Sequence, residues 1–537
     1  MVLAFAIGSI VALPALKLTV EYLILLTLAV SSVILGLLIA TPSMGGSYGL
    51  IGLPTANLFG WHLREPHDWV VPSLVAMLVV YGICHRIGES PIGRVLKGIR
   101  EDPVATQALG KNVFGYKVAV FGISSALAAF AGALLAAWLQ LATPSVFGFS
   151  FSLTIFAIVI FGGMGNLTGS VLGAAVVVLL EPVLRRVVKI EASRASIVQL
   201  IVYGLALALL MRVRPQGALP EGFSLWRWLR GERAPRRRIE MVDGWVPQST
   251  LDVIEPADQA IDRGFDPALD VASVEDDRER RWQEAPVVLE TRGVAKRFGG
   301  IVAAYDLHIE LRRGTITALV GPNGAGKTTV FNLLTGAITP DAGSVKLNGD
   351  ELVGLNPAQV ARKGLVRSFQ DVRLFGRMSC VQNVALAVQD QAGENFATLA
   401  LGHRRAVAVE QRTRAKAMDW LGFVGMAEFA DVAASSLSYG QTKLVSLARV
   451  LATEAEVILL DEPASGIDTR WVDTILDLVA AVRDQGRTVC VVEHNLHVVG
   501  RLADHTYFME LGEITAQGTI AELTGTPRLA EAYFGTG

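Results

Sequence analysis

Hydrophobic positions are unevenly distributed along this chain. From Met1 to Met211 long uncharged runs dominate; beyond Arg212 apolar and charged positions mix as they do in a water-soluble protein. Residues 22–40 form 19 consecutive uncharged positions. At ~1.5 Å rise per residue that run approaches the ~30 Å hydrocarbon thickness of a bilayer, and a spanning helix is predicted there. Further spans are predicted over 1–16, 70–84, 118–139, 146–163, 167–184 and 197–211. Several are short, and a buried or re-entrant helix is the alternative for any one of them. Between two spans, Val95, Leu96, Ile99, Val104, Ala105, Ala108 and Leu109 recur near helical spacing with charges between them, which predicts a short amphipathic helix within 90–110. By pattern alone it either meets a soluble partner or rests on lipid headgroups.

The second half reads differently. Thr315 to Val320, Val457 to Leu460 and Thr488 to Val492 are short, β-branched, apolar runs, as expected of strands buried on both faces of a parallel sheet. Thr329 to Leu334 is predicted to open a helix. Residues 212–286 lack sustained periodicity. Their first part is basic with Trp226 and Trp228 interleaved, which suits an interface with anionic lipid. Their second part is acidic between Glu240 and Glu284, and a solvated, disordered tether is predicted. The expected division is therefore 1–211 membrane, 212–286 linker and 287–537 soluble.

Composition agrees. Of 537 residues 51% are hydrophobic and 18% charged, which leans toward a membrane protein, and the length implies more than one domain. Cys84, Cys380 and Cys490 are far apart and have no metal-ligand spacing; plain buried thiols are expected. The formal charge is −2, and no basic stripe argues for nucleic acid.

Candidate chemistry begins with Gly321-Pro322-Asn323-Gly324-Ala325-Gly326-Lys327-Thr328-Thr329, a match to G-x-x-x-x-G-K-[ST] between the predicted strand and helix. Glycines let backbone N–H groups close around phosphate, the lysine neutralises charge, the hydroxyl ligates Mg²⁺, and the helix start adds its positive end. Downstream, an apolar strand ends in Asp461 and Glu462: one carboxylate suits metal, the other suits activating the attacking water. His494 follows the strand ending at Val492, a strand-end position where a γ-phosphate contact is expected.

A nucleotide domain must lie where ATP is, and that constrains sidedness. Arg86, Arg94, Lys97, Arg100, Lys111 and Lys117 crowd the loop 85–117, whereas 41–68 holds only Arg64; the first loop is expected inside and the second outside. An even number of crossings must then separate Lys117 from Arg212. The segment Gly162-Gly163-Met164-Gly165-Asn166-Leu167-Thr168-Gly169 is accordingly predicted to be a turn, although Arg185, Arg186, Lys189 and Arg194 then lie outside. The same count puts Met1 outside, an arrangement more natural if further spans precede it. The start has no charged region typical of a secretory signal.

Leu437-Ser438-Tyr439-Gly440-Gln441 resembles the signature sequence of ATP-binding-cassette (ABC) proteins, whose middle residue is usually glycine. The resemblance covers about 287–537. It implies a multidomain protein: an all-α transmembrane permease domain plus an α/β P-loop NTPase with a helical signature subdomain. It further implies that Gln370 is the Q-loop glutamine, Asp468 the D-loop aspartate, His494 the switch histidine, and Phe298 the aromatic stacking on adenine. ATP would contact Phe298, Gly321 to Thr329, Ser438, Gly440, Gln441 and Asp468. Mg²⁺ would be held by Thr328, Gln370 and Asp461, and Glu462, His494, Lys327 and Gln370 would carry hydrolysis. By pattern, Phe298 as core and His494 as a plain strand-end residue remain alternatives, and His497 reads as helix surface.

The stretch Val366 to Phe375, Tyr439, Val492-Glu493-His494-Asn495 and the tail Glu531-Ala532-Tyr533-Phe534-Gly535 resemble the ATPase subunits of branched-chain amino acid importers. Residues 90–134 and 161–169 resemble the second permease of those importers, in which the inner helix docks near the Q-loop. Asn495 stands where aspartate is common, and Thr442-Lys443 replaces a more usual Gln-Gln or Gln-Arg start. The implied protein is a fused permease and ATPase in the cytoplasmic (inner) membrane. It would work with a second permease, a second cassette and a periplasmic or lipid-anchored binding protein. The same machine moving urea, short amides or another carboxylate is one alternative; a membrane-tethered ATPase without transport is another.

Overall fold

The computed structural model describes residues 1–15, 20–54, 57–58, 61–187, 204–205, 209, 212–213, 219, 267–396, 398 and 403–525. The chain divides into two compact units, Met1–Gly88 with Phe114–Val242, and Glu89–Val113 with Asp243–Gly537.

Helices α1 (Val2–Ala15), α2 (Val20–Ala40), α3 (Val70–Gly88), α4 (Pro91–Glu101), α5 (Pro103–Ala108), α6 (Val113–Leu139), α7 (Phe149–Gly162) and α8 (Leu167–Val187) follow one another. All but α4 and α5 lie in the first unit. Among the described residues two helices are long and apolar enough to cross a bilayer, Pro66–Gly88 and Val113–Leu139. Val2–Pro14, Leu25–Ala40, Phe151–Gly162 and Leu167–Leu179 are shorter apolar helices among the described residues, and the run predicted to span at 22–40 lies wholly within α2. The span expected over 197–211 lies largely outside the described residues. On α3, Val70, Val71, Leu74, Val75, Leu78 and Val79 are all exposed, an apolar surface that needs lipid or a partner to cover it.

Helices in this unit meet through small residues. A Cβ added at Gly162 would lie 2.2 Å from the Gly169 carbonyl oxygen, and one at Gly169 would lie 2.0 Å from that of Gly162, so α7 and α8 touch backbone to backbone. Gly163 and Gly165 take positive φ, and Asn166 Oδ1 accepts from the Gly169 N–H at 2.9 Å. The predicted turn at 162–169 is therefore present.

Helix α9 (Pro267–Glu284) corrects one expectation. This end of the supposed disordered tether is helical, because Trp282 is buried against the second unit and Arg278 and Arg281 find partners there.

The second unit carries strands β1 (Val287–Phe298), β2 (Ile301–Leu307), β3 (Glu310–Arg312), β4 (Ile316–Val320), β5 (Ala342–Leu347), β6 (Asp350–Glu351), β7 (Leu365–Arg367), β8 (Val457–Asp461), β9 (Thr488–Val492), β10 (His505–Glu510) and β11 (Glu513–Gly518). One sheet has the order β7-β8-β9-β4-β10-β11, parallel except for the last pair. Strands β4, β8 and β9 are buried at every position, the consequence of continuous apolar runs covered on both faces. An antiparallel sheet, β6-β5-β1-β2 with β3 on β1, lies beside it. Helices α10 (Lys327–Leu334), α11 (Pro357–Arg362), α12 (Cys380–Ala387), α13 (His403–Phe423), α14 (Tyr439–Leu451), α15 (Thr469–Asp484), α16 (Leu496–Leu502) and α17 (Ile520–Thr524) also belong to this unit, with α12, α13 and α14 forming a helical subdomain. All three cysteines are free; Cys380 and Cys490 are buried, while Cys84 is partly exposed.

Candidate nucleotide site and its docked helix

The carboxyl ends of β4, β8 and β9 lie side by side in register, and each delivers a functional segment, as strand ends in open parallel sheets do. After β4 the chain turns through Gly321 to Gly326 into α10. Gly321 (φ 153°) and Gly326 (φ 107°) admit no side chain: a Cβ would fall 2.0 Å from the Met509 carbonyl oxygen and 2.3 Å from that of Ala303. Pro322, Asn323, Gly324 and Thr328 are exposed and Thr329 is half-buried, while Ala325 is buried. Lys327 is buried, and its ammonium donates to the carbonyls of Gly321 (2.7 Å) and Pro322 (2.9 Å). Burial pulls its pKa down, opposed by the nearby charges of Glu462 and Asp461.

Asp461 is buried with its Oδ2 2.6 Å from the Arg367 guanidinium, and its N–H donates to Ser368 Oγ. Glu462 has φ 48°, a left-handed conformation costly for a residue with a side chain and concentrated at functional sites. Its N–H donates to the Val492 carbonyl at 2.9 Å. Gln370 Nε2 donates to Glu462 Oε2 at 3.0 Å, and His494 Nδ1 lies 3.8 Å from Glu462 Oε1. Lys327, Asp461, Glu462, Gln370 and His494, singled out from the sequence, are thus gathered in one place.

Phe298 is 46% exposed at the β1 end, which removes the core alternative. Strand β2, its hairpin partner, passes the P-loop at Ala303. Ser438, Gly440 and Gln441 stand at the start of α14: Ser438 Oγ accepts from the Gln441 N–H and Gln441 Oε1 from the Ser438 N–H, a capping box. A Cβ at Gly440 would lie 3.1 Å from the Trp471 ring, and one at Gly466 3.3 Å from the Tyr439 ring. The signature therefore adjoins the segment carrying Asp468, whose carbonyl accepts from the Trp471 N–H. His497 is exposed on α16.

Sequence reasoning assigned no role to Lys443, Arg367 or Glu493. Lys443 is buried and donates to the carbonyls of Glu462 (3.1 Å) and Gln370 (3.5 Å); burial lowers its pKa against the pull of Glu493, Glu462 and Asp461. Glu493, whose pKa burial raises, accepts from the Ala464 N–H. A charged residue at an otherwise apolar helix position, as at Lys443, is the signal that could have marked it.

The donor set suits Mg²⁺, a hard cation that takes few protein oxygens and keeps water and phosphate. Asp461 has one carboxylate oxygen beyond its Arg367 pair, Gln370 keeps its amide oxygen as acceptor, and the Thr328 hydroxyl is exposed at the start of α10.

Helices α4 and α5 pack on this same unit. Pro91, Ile92, Arg94, Val95 and Ile99 are buried, which decides between protein and headgroups as the surface that α4 meets. Arg94 pairs with Glu410 and donates to Gln391. Lys111 is 1% exposed, with Nζ 2.6 Å from Glu394 and 2.9 Å from the Val388 carbonyl; burial lowers its pKa and raises that of Glu394. Asp102 caps α5 with Oδ1 and meets Arg373 with Oδ2 at 3.2 Å. Arg449 on α14 donates to the Arg373 carbonyl, and burial brings its pKa down to about 10.

Two family models match this chain. Residues 1–211 match the permease component of the branched-chain amino acid transport system, and residues 304–465 match the ABC transporter ATPase. The chain is 36% identical over 249 residues to the high-affinity branched-chain amino acid transport ATP-binding protein BraF of Pseudomonas aeruginosa, covering 46% of this chain and 98% of that one. It is 35% identical to LivG of Escherichia coli K12 over the same shares. A solved nucleotide-free ATP-binding cassette from an ABC transporter is 30% identical with TM-score 0.41, covering 47% of this chain and all of that one.

Proposed function

Because the chain belongs to the ABC transporters, with a permease component and an ATP-binding cassette on one polypeptide, we propose that it is a fused subunit of an importer for branched-chain amino acids. The cassette binds ATP and hydrolyses it in coupling to transport. The substrate reading is supported by the permease match and by the names of the relatives, and it extends to a multi-pass membrane domain over 1–211 with the cassette, 287–537, in the cytoplasm.

The observation that carries the coupling is the burial of α4 and α5 on the cassette beside the Q-loop, with Asp102 bound to Arg373, three residues after Gln370. Gln370 in turn is bonded to Glu462. A rearrangement at the carboxylate therefore has a short, packed route to the inner loop of the permease. In this reading Glu462 takes the proton of the attacking water, His494 orients Glu462 and the γ-phosphate, and Lys327 neutralises phosphate charge. Phe298 stacks on the base. Thr328, Gln370 and Asp461 would hold Mg²⁺, which when bound neutralises charge on the transferring phosphoryl group.

Gly440 adjoins Trp471 and Tyr439 adjoins Gly466, in the segment that carries Asp468, and in this reading Ser438, Gly440 and Gln441 face the P-loop of a second cassette. Each site is then completed across the pair, and a second permease and a substrate-binding protein outside the membrane follow.

Vesicles holding the assembled transporter test the proposal by ATP-dependent uptake of labelled leucine and labelled urea, with Glu462→Gln as control. Leucine accumulation that the variant abolishes is expected. Urea uptake in its place would overturn the substrate, and ATPase activity with neither solute moved would overturn transport.

A further inference from the structure

Helix α9 has no part in the function described so far, yet its contacts converge on the far end of α16, the helix that follows His494, and on the residues just after it. Arg278 donates to the carbonyls of Gly500 (2.5 Å) and Arg501 (2.8 Å), the last turn of α16. Three residues on, Arg281 lies 2.7 Å from Asp504 Oδ1. Asp504 is fully buried, and its Oδ2 accepts from the Ile316 N–H at 2.8 Å, where the strand leading to the P-loop begins. Trp282 stacks on His505 with ring centroids 4.2 Å apart and planes 3° from parallel. Arg312 closes the end of α9 by donating to the carbonyls of Trp282 (3.2 Å) and Gln283 (3.0 Å).

These contacts lie at the opposite end of the sheet from the nucleotide site, and α16 bridges the two. His494 and Asn495 lead directly into its first turn, where Asn495 Oδ1 accepts from the His497 N–H at 2.9 Å. A seven-residue helix is a rod about 10 Å long. Its far carbonyls carry partial negative charge, and a guanidinium that bonds two of them is both charge-assisted and aligned with the helix dipole. Pinning that end removes the pivot by which the histidine end could swing.

We propose that α9 is a built-in brace for the switch segment, and that Arg278 is a positioning residue for His494, acting through α16. The proposal rests on the reading of His494 as a residue of the hydrolytic site. It gives the covalent connection between permease and cassette a second function: the segment that tethers the cassette also fixes its switch.

The test uses the full-length chain in its assembled transporter, reconstituted in nanodiscs, and compares Arg278→Ala, Arg278→Lys and His494→Ala. Steady-state ATPase kinetics are measured beside hydrogen exchange of the amides from His494 to Ala503. Arg280→Ala is the control, since Arg280 is exposed and its carboxylate neighbour Asp277, 3.8 Å away, is on the same helix. R278A is expected to lower kcat about 5- to 10-fold, with KM for ATP unchanged and faster exchange confined to 494–503. R278K is expected to recover most of both, and the control to match the wild type. Faster exchange with wild-type kcat would overturn the link to catalysis. Lower kcat with unchanged exchange would overturn the brace. Wild-type turnover in H494A would refute the assignment of His494, a result distinct from either.

Discussion

Gln370 donates its side-chain amide to Glu462 Oε2 at 3.0 Å, so the residue assigned to sense phosphate and metal is bonded to the residue assigned to activate water. Replacing Glu462 by Gln keeps the size and loses the base. ATP turnover is expected to fall at least 100-fold while ATP binding persists, as measured by phosphate release and nucleotide retention. Near-normal turnover would remove Glu462 as base.

Lys443 holds two carbonyls of the same site, those of Glu462 and Gln370. The left-handed backbone of Glu462 needs such external restraint. Lys443→Met is expected to cost about tenfold in kcat, with KM for ATP little changed and partial recovery in Lys443→Arg. Equal loss in the arginine variant would show that shape rather than donation matters there.

In the membrane unit, Gly162 and Gly169 leave no room for a Cβ between α7 and α8. Gly162→Val must part the two helices, and overpacking of this kind costs about 1–3 kcal/mol or more. Lower yield of folded protein and a reduced melting temperature in detergent are expected. Wild-type stability would mean that the helices meet otherwise.

His505 has its pKa pushed down to about 4, chiefly by burial and then by Arg312, against Gln517, Glu522 and Glu310. Unfolded, it titrates near the ordinary ~6.5. Between these values the unfolded chain binds the extra proton, so stability rises with pH. From His505, the melting temperature of the cassette is expected to fall as pH drops from 6.5 toward 4. The slope should flatten in His505→Gln, and an unchanged slope would assign the effect to other groups.

Much of this was legible in the residues. Short uncharged runs rich in β-branched and other apolar residues marked the central strands, because a strand covered on both faces has no solvent side for charged groups. Glycines before Lys327 marked the P-loop, because only they fit against Met509 and Ala303. Helix α9 was hidden: its sequence is charged and acidic, and it is held by Trp282 and two arginines whose partners lie more than 200 residues away in sequence. No local pattern reports such contacts. In the sequence Lys443 stands out only as a departure from the usual motif; its role comes from the carbonyls that tertiary folding brings to it.

In the proposed mechanism energy passes from the ATP site to the permease through α4 and α5. The most direct measurement is the number of leucine molecules taken up per ATP hydrolysed, in vesicles, for Asp102→Ala beside the wild type. Asp102 caps α5 and binds Arg373, and its loss removes both holds without touching the nucleotide site. ATP hydrolysis within about twofold of wild type and a transport ratio lower by about tenfold or more are expected. An unchanged ratio would contradict coupling through these helices.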